Sequence, residues 1–398
     1  MCNEPTACPT DRLPLVFLIA GEPSGDSLAS RLMLALRRRT GDRIRFAGVG
    51  GRAMAGQGLN SLFPMSELAL MGVVEVLPHL PRLVRRLRET ASAIDRLKPS
   101  AVVTIDSPGF SLRVARRIRG SPVPVIHYVA PQLWAWRPGR GRKVARLVDH
   151  ILALLPFEPQ FFAEFGVPCT FVGHPVLESG ADRGDGPAFR ARYGVGPDAP
   201  LVAVLPGSRN TEVRRLLPVF GQALHLLARE RPGLTAVIPS VDSVAGTVTA
   251  ATEAWSLPTI SVTDPREKFD AFAASQAAVT KSGTITLELA LAGVPMVVAH
   301  KVNPATALLA RRLISVINVS LVNLLAAQQV VPELLQKACT PEAVAEALGR
   351  LLEDDGQRAA QQAGFRKAIG SLGGLAPAPS ERAADVVLRI IGQSRAGG

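Results

Sequence analysis

Residues 15 to 26 read Leu-Val-Phe-Leu-Ile-Ala-Gly-Glu-Pro-Ser-Gly-Asp, six apolar residues that stop at a turn and open into a helical pattern. A short, continuous apolar run bounded by glycine marks a strand buried on both faces, and such strands belong to parallel sheets covered by helices. Gly21 and Gly25 allow backbone to approach a ligand closely, although the spacing is not that of a dinucleotide-binding loop.

The same alternation continues outward from this stretch. Runs at Arg45 to Val49, Ala101 to Ile105, Pro124 to Val129, Ile151 to Leu155 and Thr170 to Val172 read as further strands. Between the second and third strands of the series, Leu80, Leu83, Val84, Leu87, Ile94 and Leu97 recur at helical spacing, with Arg82, Arg85, Arg86 and Arg88 mostly between them. The spacing predicts one amphipathic crossover helix with that stripe as its core face. A turn-rich stretch from Glu178 to Pro200 marks a linker. Beyond it, strands are expected at Leu201 to Leu205, Thr235 to Ile238, Thr259 to Val262, Ala277 to Thr280 and Met296 to Ala299, and the tail from Pro341 reads as helices broken by the loop Gly370 to Ser380. With 398 residues, two cores fit better than one. The expected organisation is a Rossmann-like domain over 1–178, a second over 179–380, and a C-terminal helix over 381–398 packing back across the junction.

Composition narrows the class. Apolar residues make up 47% of the chain and charged ones 20%, which excludes a disordered or fibrous protein. The net charge of +12 calls for an anionic partner. The basic residues are scattered along helical faces without an aromatic-studded RNA-binding signature or a zinc-finger spacing, so nucleic acid is not expected. Lipid head groups or phosphorylated substrates fit the charge. The N-terminus lacks the basic start and apolar run of a signal peptide, and no stretch approaches the roughly eighteen apolar residues of a membrane span, so a cytoplasmic chain with at most peripheral membrane contact is expected. Cys2, Cys8, Cys169 and Cys339 form no pairing pattern for zinc or disulfides.

In open α/β sheets ligands gather at the C-terminal ends of the strands, and five such places carry chemistry. In the first, Glu22, Ser24 and Asp26 crowd polar groups among Gly21 and Gly25. In the second, Asp106 ends an apolar run before Ser-Pro-Gly-Phe; helix N-cap and general base are both open to it from position alone. In the third, HYVAPQLWAWR (127–137) puts Gln132 and two of the three tryptophans, Trp134 and Trp136, in one loop after a strand, for core or for ligand. In the fourth, Gly207, Ser208 and Arg209 form a strand-to-helix turn whose N–H groups and guanidinium suit a diphosphate. In the fifth, Ser282, Gly283 and Thr284 are followed by Glu288 on the same helix face, placed to accept from ribose hydroxyls. No Asp-x-Asp occurs, so no metal and no cofactor are expected, and N–H groups with basic side chains must neutralise a leaving diphosphate.

Taken in order, GEPSGD, MGVVEVLPHL, IDSPGF, HYVAPQLWAW, FVGHPV, LPGSR, KSGT with Glu288, and the pair VNLLA and VPELLQ resemble the lipid-A-disaccharide synthases over roughly Leu15 to Gln336. The resemblance implies a GT-B glycosyltransferase, an α/β protein of two Rossmann-like parallel-sheet domains facing a cleft. Its implied reaction moves 2,3-diacylglucosamine from UDP to the 6-hydroxyl of 2,3-diacylglucosamine 1-phosphate at the inner face of a Gram-negative inner membrane. It makes Asp106, with Glu22, the catalytic candidates, and it puts Gly207, Ser208, Arg209, Ser282, Gly283, Thr284, Glu288 and Asn323 on the UDP-sugar side. Ser24, Gly25, Asp26, Gln132, Trp134 and Trp136 fall on the acceptor side. Two departures bear on the loop around Asn323: Val322 stands where Pro is usual, and Ala327-Gln328-Gln329 replaces a Gly-x-Glu-like run.

The segment Met71, Val73, Val74, Val76 and Leu77 is more apolar than one core face needs and leads into the Arg-bearing helix, as an element that docks on an anionic bilayer would. A buried helix end or a homodimer contact is the alternative. Competing functions are another UDP-N-acetylglucosamine enzyme of the same architecture, which lacks IDSPGF and HYVAPQLWAW, and a non-catalytic nucleotide-dependent membrane adaptor, which would not need Asp106 and Glu22.

Overall fold

Strand β1 (Leu15–Ala20) is buried along its whole length. It is the centre from which the first sheet grows in the computed structural model, which describes residues 13–68, 80–136, 139, 141–301, 319–374 and 376–396, with backbone alone at 135–136 and 395–396. The chain divides into two units, Met1–Pro175 with Leu375–Gly398, and Val176–Gly374.

In the first unit β1 is joined by β2 (Arg45–Val49), β3 (Ala101–Ile105), β4 (Val125–Tyr128), β5 (His150–Ala153) and β6 (Cys169–Phe171) in the spatial order β2-β1-β3-β4-β5-β6. Every pairing is parallel. Helix Pro23–Thr40 follows β1 and lays Leu28, Leu32 and Leu36 on one face of the sheet, where Ala383, Val387 and Ile391 of the final helix Pro379–Ala396 join them. Helix Pro108–Arg117 follows β3 and lays Phe110 and Val114 on the opposite face, with Ala91 and Ile94 of helix Leu80–Leu97. The chain therefore leaves β1 and β3 in opposite directions, which opens a crevice at their C-terminal ends.

The stripe expected as core on helix Leu80–Leu97 is only partly so. Ile94 is buried, but Leu80 and Val84 are each 40% exposed and Leu97 39%. The buried residues Thr90, Ala91, Ala93 and Ile94 all lie in the second half of the helix, so its first half meets the unit through Leu83, Leu87 and Arg86 rather than through the full stripe. Arg86 is itself a structural residue. Its guanidinium donates to both oxygens of Glu67 at 2.9 and 2.7 Å and to Glu89 at 2.7 Å, over the Phe63 ring.

In the second unit β7 (Leu201–Leu205), β8 (Thr235–Pro239), β9 (Thr259–Val262), β10 (Ala277–Lys281), β11 (Met296–His300) and β12 (Glu333–Leu335) take the order β12-β11-β10-β7-β8-β9, again parallel. This is the doubly wound order, with its reversal between β7 and β10. Helix Asn210–Glu230 after β7 shares one layer with helix Pro341–Glu353. Helix Ile285–Leu291 after β10 takes no part in that layer and packs on helices Leu321–Ala326 and Asp355–Gly370. β12 was not expected from the sequence, because three half-buried residues carry no readable alternation. Among the described residues no helix is long and apolar enough to cross a membrane.

A polar pair interrupts the first sheet's core. Thr104 and His127 face each other across β3 and β4, both fully buried, with Thr104 Oγ1 2.7 Å from His127 Nδ1. Burial pulls the His127 imidazole down to about 4, so the folded chain holds it neutral. An unfolded chain takes up that proton from about pH 6.5 downward, so the stability is complete above this pH and is lost as the pH falls toward 4, by at most on the order of 3 kcal/mol. Urea unfolding of the parent and of His127→Gln at pH 7 and pH 5 checks this. The stability gap between them is expected to narrow at the lower pH, and a gap independent of pH contradicts it.

Candidate functional site

The two motifs flanking the reversal in the first unit lie against each other. Gly21 follows β1, and a Cβ added there would fall 2.6 Å from Ser107 Oγ and 2.8 Å from its Cβ in the turn after β3, so glycine lets the turns meet this closely. Asp106 and Ser107 hold left-handed backbone, with φ of 50° and 45°, a conformation that costs a non-glycine residue on the order of 1 kcal/mol or more. Three contacts fix it: the Asp106 N–H donates to the Tyr128 carbonyl at 2.9 Å, Ser111 Oγ donates to the Asp106 carbonyl at 2.9 Å, and the Ser107 carbonyl accepts from Phe110 and Ser111. The N-cap of helix Pro108–Arg117 is Ser107, not Asp106, so the capping reading of Asp106 is set aside. The half-buried Asp106 carboxylate accepts no hydrogen bond from the described residues. Backbone strain beneath a carboxylate that no described residue engages, in the turn after a strand, is the pattern of a reactive group.

Other motif residues divide between crevice and scaffold. Glu22 is the half-buried N-cap of helix Pro23–Thr40, its side chain unused in capping, and Ser24 is exposed beside it. Gly25 packs its backbone on Ile105. Asp26 does not serve a ligand as its position in the motif suggested. It is 5% exposed and its carboxylate accepts from the N–H groups of Gly51, Ala53 and Met54 at 2.7, 2.9 and 3.2 Å, which ties the turn after β2 to the helix after β1. Gln132 is exposed, whereas Trp134 is half-buried, donates Nε1–H to Glu158 at 3.3 Å and meets the Phe157 ring edge-on at 4.9 Å. Trp136 ends helix Leu133–Trp136, and its side chain lies outside the described residues. Met71, Val73, Val74, Val76 and Leu77 lie outside them as well.

In the second unit the turns after β7 and β10 likewise meet. Gly207 has φ 123° and faces Glu212, whose Oε2 would lie 2.3 Å from an added Cβ. Glu212 then bridges the two turns, pairing with Lys281 Nζ at 3.0 Å and with Arg209 at 3.4 Å. Ser208 and Arg209 are exposed at the start of helix Asn210–Glu230, where unpaired N–H groups favour an anion. Across from them Ser282 is buried and its Oγ lies 2.8 Å from His300 Nδ1, with Gly283 at φ 154° and Thr284 exposed. Burial, and then the charge of Lys281, pull the His300 imidazole below its ordinary range. Glu288 is half-buried and gives one oxygen to Lys268 Nζ at 2.7 Å. Lys281, the first residue of KSGT, carries no assigned role in the sequence reading, and Lys268 and His300 lie outside its motifs. His300 had a signal, since it ends its strand as the residues of the other five places end theirs.

Asn323 does not serve a UDP-sugar as the resemblance implies. Its side chain is fully buried, with Oδ1 accepting from the N–H groups of Val330 and Val331 and Nδ2 donating to the Val331 carbonyl and to Glu333. All four positions are used within the protein, leaving none for UDP. Glu333 also accepts from the N–H groups of Val319 and Ser320 at 2.9 Å, so VNLLA and VPELLQ are one hydrogen-bonded lock. The substituted Ala327 sits at φ 52°, where glycine costs less. Among the described residues no group of three or more His, Cys, Asp or Glu side chains is arranged to hold a metal ion.

Comparison with known proteins agrees with this geometry. The family model of lipid-A-disaccharide synthetase matches residues 16–385. A lipid-A-disaccharide synthase of Rhodospirillum centenum is 54% identical over 379 residues, covering 95% of this chain and 94% of its own, and one of Paramagnetospirillum magneticum is 50% identical over 385 residues, covering 96% and 98%. Among solved structures, an S. aureus MnaA–UDP co-structure aligns with TM-score 0.65 at 14% identity, covering 95% of this chain and 97% of its own. MurG of Acinetobacter baumannii aligns with TM-score 0.55 at 14% identity, covering 94% and 99%. At such identities these likenesses speak for the fold alone, the GT-B type. Motifs, fold and relatives agree: the chain belongs to the lipid-A-disaccharide synthase family of glycosyltransferases.

Proposed function

We propose that the chain transfers 2,3-diacylglucosamine from UDP to the 6-hydroxyl of 2,3-diacylglucosamine 1-phosphate with inversion, the crevice of the first unit taking the acceptor and that of the second the UDP-sugar. The observation that carries this reading is the convergence of paired motifs on the order reversal of each sheet, GEPSGD with IDSPGF in one and LPGSR with KSGT in the other. As O6 of the acceptor attacks the anomeric carbon, its proton passes to the Asp106 carboxylate. The bond from that carbon to the phosphate oxygen breaks, and its electron pair leaves with UDP. Glu22, in the turn after β1 that meets the turn of Asp106, is our candidate to hold an acceptor hydroxyl. The growing charge on the diphosphate is met by the N–H groups of the turns at Gly207 and Gly283, with Arg209 and Lys281. The second Glu288 oxygen, the one not given to Lys268, accepts from the ribose.

The acyl chains set the place of reaction. Drawing them into water costs about 0.8 kcal/mol per CH₂, so the enzyme works at the surface that holds them. We place that contact at Met71, Val73, Val74, Val76 and Leu77, continued by the exposed Leu80 and Val84, on the cytoplasmic face of the inner membrane. Exposed Arg82 and Arg85 add about 1 kcal/mol each where they reach anionic head groups. Arg86, tied to Glu67 and Glu89, adds little.

Asp106→Asn keeps the side chain's size and removes the proton acceptor, and it is expected to fold as the parent while turnover falls roughly 10²- to 10⁴-fold. Acceptor-dependent UDP release measures it, and a rate within a few-fold of the parent removes Asp106 from the role of base. Changing Val73, Val74 and Val76 together to Ser is expected to reduce sedimentation with anionic vesicles and to leave UDP affinity intact. Sedimentation equal to the parent's assigns the segment to core or subunit contact instead.

A further inference from the structure

The loop after β4 is held from outside by a carboxylate to which no catalytic or ligand-binding step has been assigned. Glu158 opens helix Glu158–Ala163 after β5, and it is only 2% exposed. Its Oε2 accepts from the N–H groups of Leu154 and Leu155 at 3.1 and 3.0 Å, while its Oε1 accepts from the indole Nε1–H of Trp134 at 3.3 Å. Its neighbour Phe157 meets the same indole edge-on, at 4.9 Å and 87°. The element after β5 therefore grips one side chain of the loop after β4 by both a carboxylate and a ring.

That loop needs holding. It begins at Val129, a β-branched residue at φ 78°, which is strained wherever it occurs. It runs to the exposed Gln132 and the half-buried Trp134, next to β3, the strand that leads into Asp106. We propose that Glu158 is a positioning residue for acceptor binding, acting through its hydrogen bond to Trp134 to fix the loop that carries Gln132. This rests on the reading that the first unit takes the acceptor. The group is a costly choice for mere packing. Burial pushes its carboxyl up to about 7, and the hydrogen bond from Trp134 is what the second oxygen adds beyond the two backbone bonds that an amide oxygen would also accept. The titratable group facing it from β6 is the Cys169 thiol, which burial and then the Glu158 charge push up to about 12.

The two oxygens allow the role to be separated from a structural one. In Glu158→Gln the amide oxygen keeps the two backbone bonds, but its NH₂ then faces the Trp134 N–H, donor against donor. Trp134→Phe keeps the ring and removes that donor from the other side. Each variant is expected to lower kcat/KM for the acylated acceptor about 10-fold at saturating UDP-sugar, with UDP affinity within two-fold of the parent. The double variant is expected to be no worse than the poorer single one, because both break the same bond. Parent-like acceptor kcat/KM in either single variant, additive losses in the double, or parallel losses of acceptor kinetics and UDP affinity each overturn the proposal. The underlying reading fails separately, on Asp106→Asn turning over as the parent does.

Discussion

Everything in this molecule that bears on chemistry follows from one constraint of parallel sheets. A crossover must leave a strand toward one face or the other, and where neighbouring strands send their crossovers to opposite faces, nothing covers the ends between them. In the first unit this happens between β1 and β3, in the second between β7 and β10. The turns at those four strand ends carry Asp106 on one unit and Gly207, Arg209 and Lys281 on the other, the residues to which we assign deprotonation of the acceptor hydroxyl and reception of the diphosphate. Glycine at 21 and at 207 lets backbone and side chains come close enough to form each crevice.

The polar residues of the motifs perform two kinds of work that their chemistry alone does not distinguish. Asp106 is strained, half-buried and unengaged by the described residues, as a reacting group should be. Asp26 and Asn323 are of similar chemistry, but each is saturated by backbone donors and acceptors and holds a turn in place. Glu158 is of this second kind, although it acts on a loop at the crevice rather than on the fold at large. A buried carboxylate or amide that is fully satisfied fixes geometry, and precise geometry at the reacting centre is worth as much to catalysis as a contact to substrate.

The sheets were legible because their central strands are buried on both faces. LVFLIA and LVAVL have no polar residue and AVVTI has only Thr104, so the central strands and the turns behind them stand out as apolar runs. β12 did not, because its three residues owe their place to pairing with β11 and to the Glu333 hydrogen bonds, which are contacts distant in sequence. The same distance hid the Glu212 bridge to Lys281 and the Ser282 contact with His300. Helical spacing overstated the core of helix Leu80–Leu97, since periodicity gives the direction of a face but not how much of its length a sheet covers. Position alone fits Asp106 to cap and to base alike, and only the backbone shows the cap to be Ser107.

The central claim is that the crevice of the first unit activates the acceptor's 6-hydroxyl for attack on a UDP-bound acylated sugar. It is tested most directly by a mass spectrum of the products formed from UDP-2,3-diacylglucosamine and 2,3-diacylglucosamine 1-phosphate, beside a 6-deoxy form of the acceptor. The account predicts one new species, the two acylated glucosamines joined and carrying a single phosphate, formed with UDP and absent with the 6-deoxy acceptor. The same joined product from the 6-deoxy acceptor, or UDP with only the free acylated sugar, would contradict it.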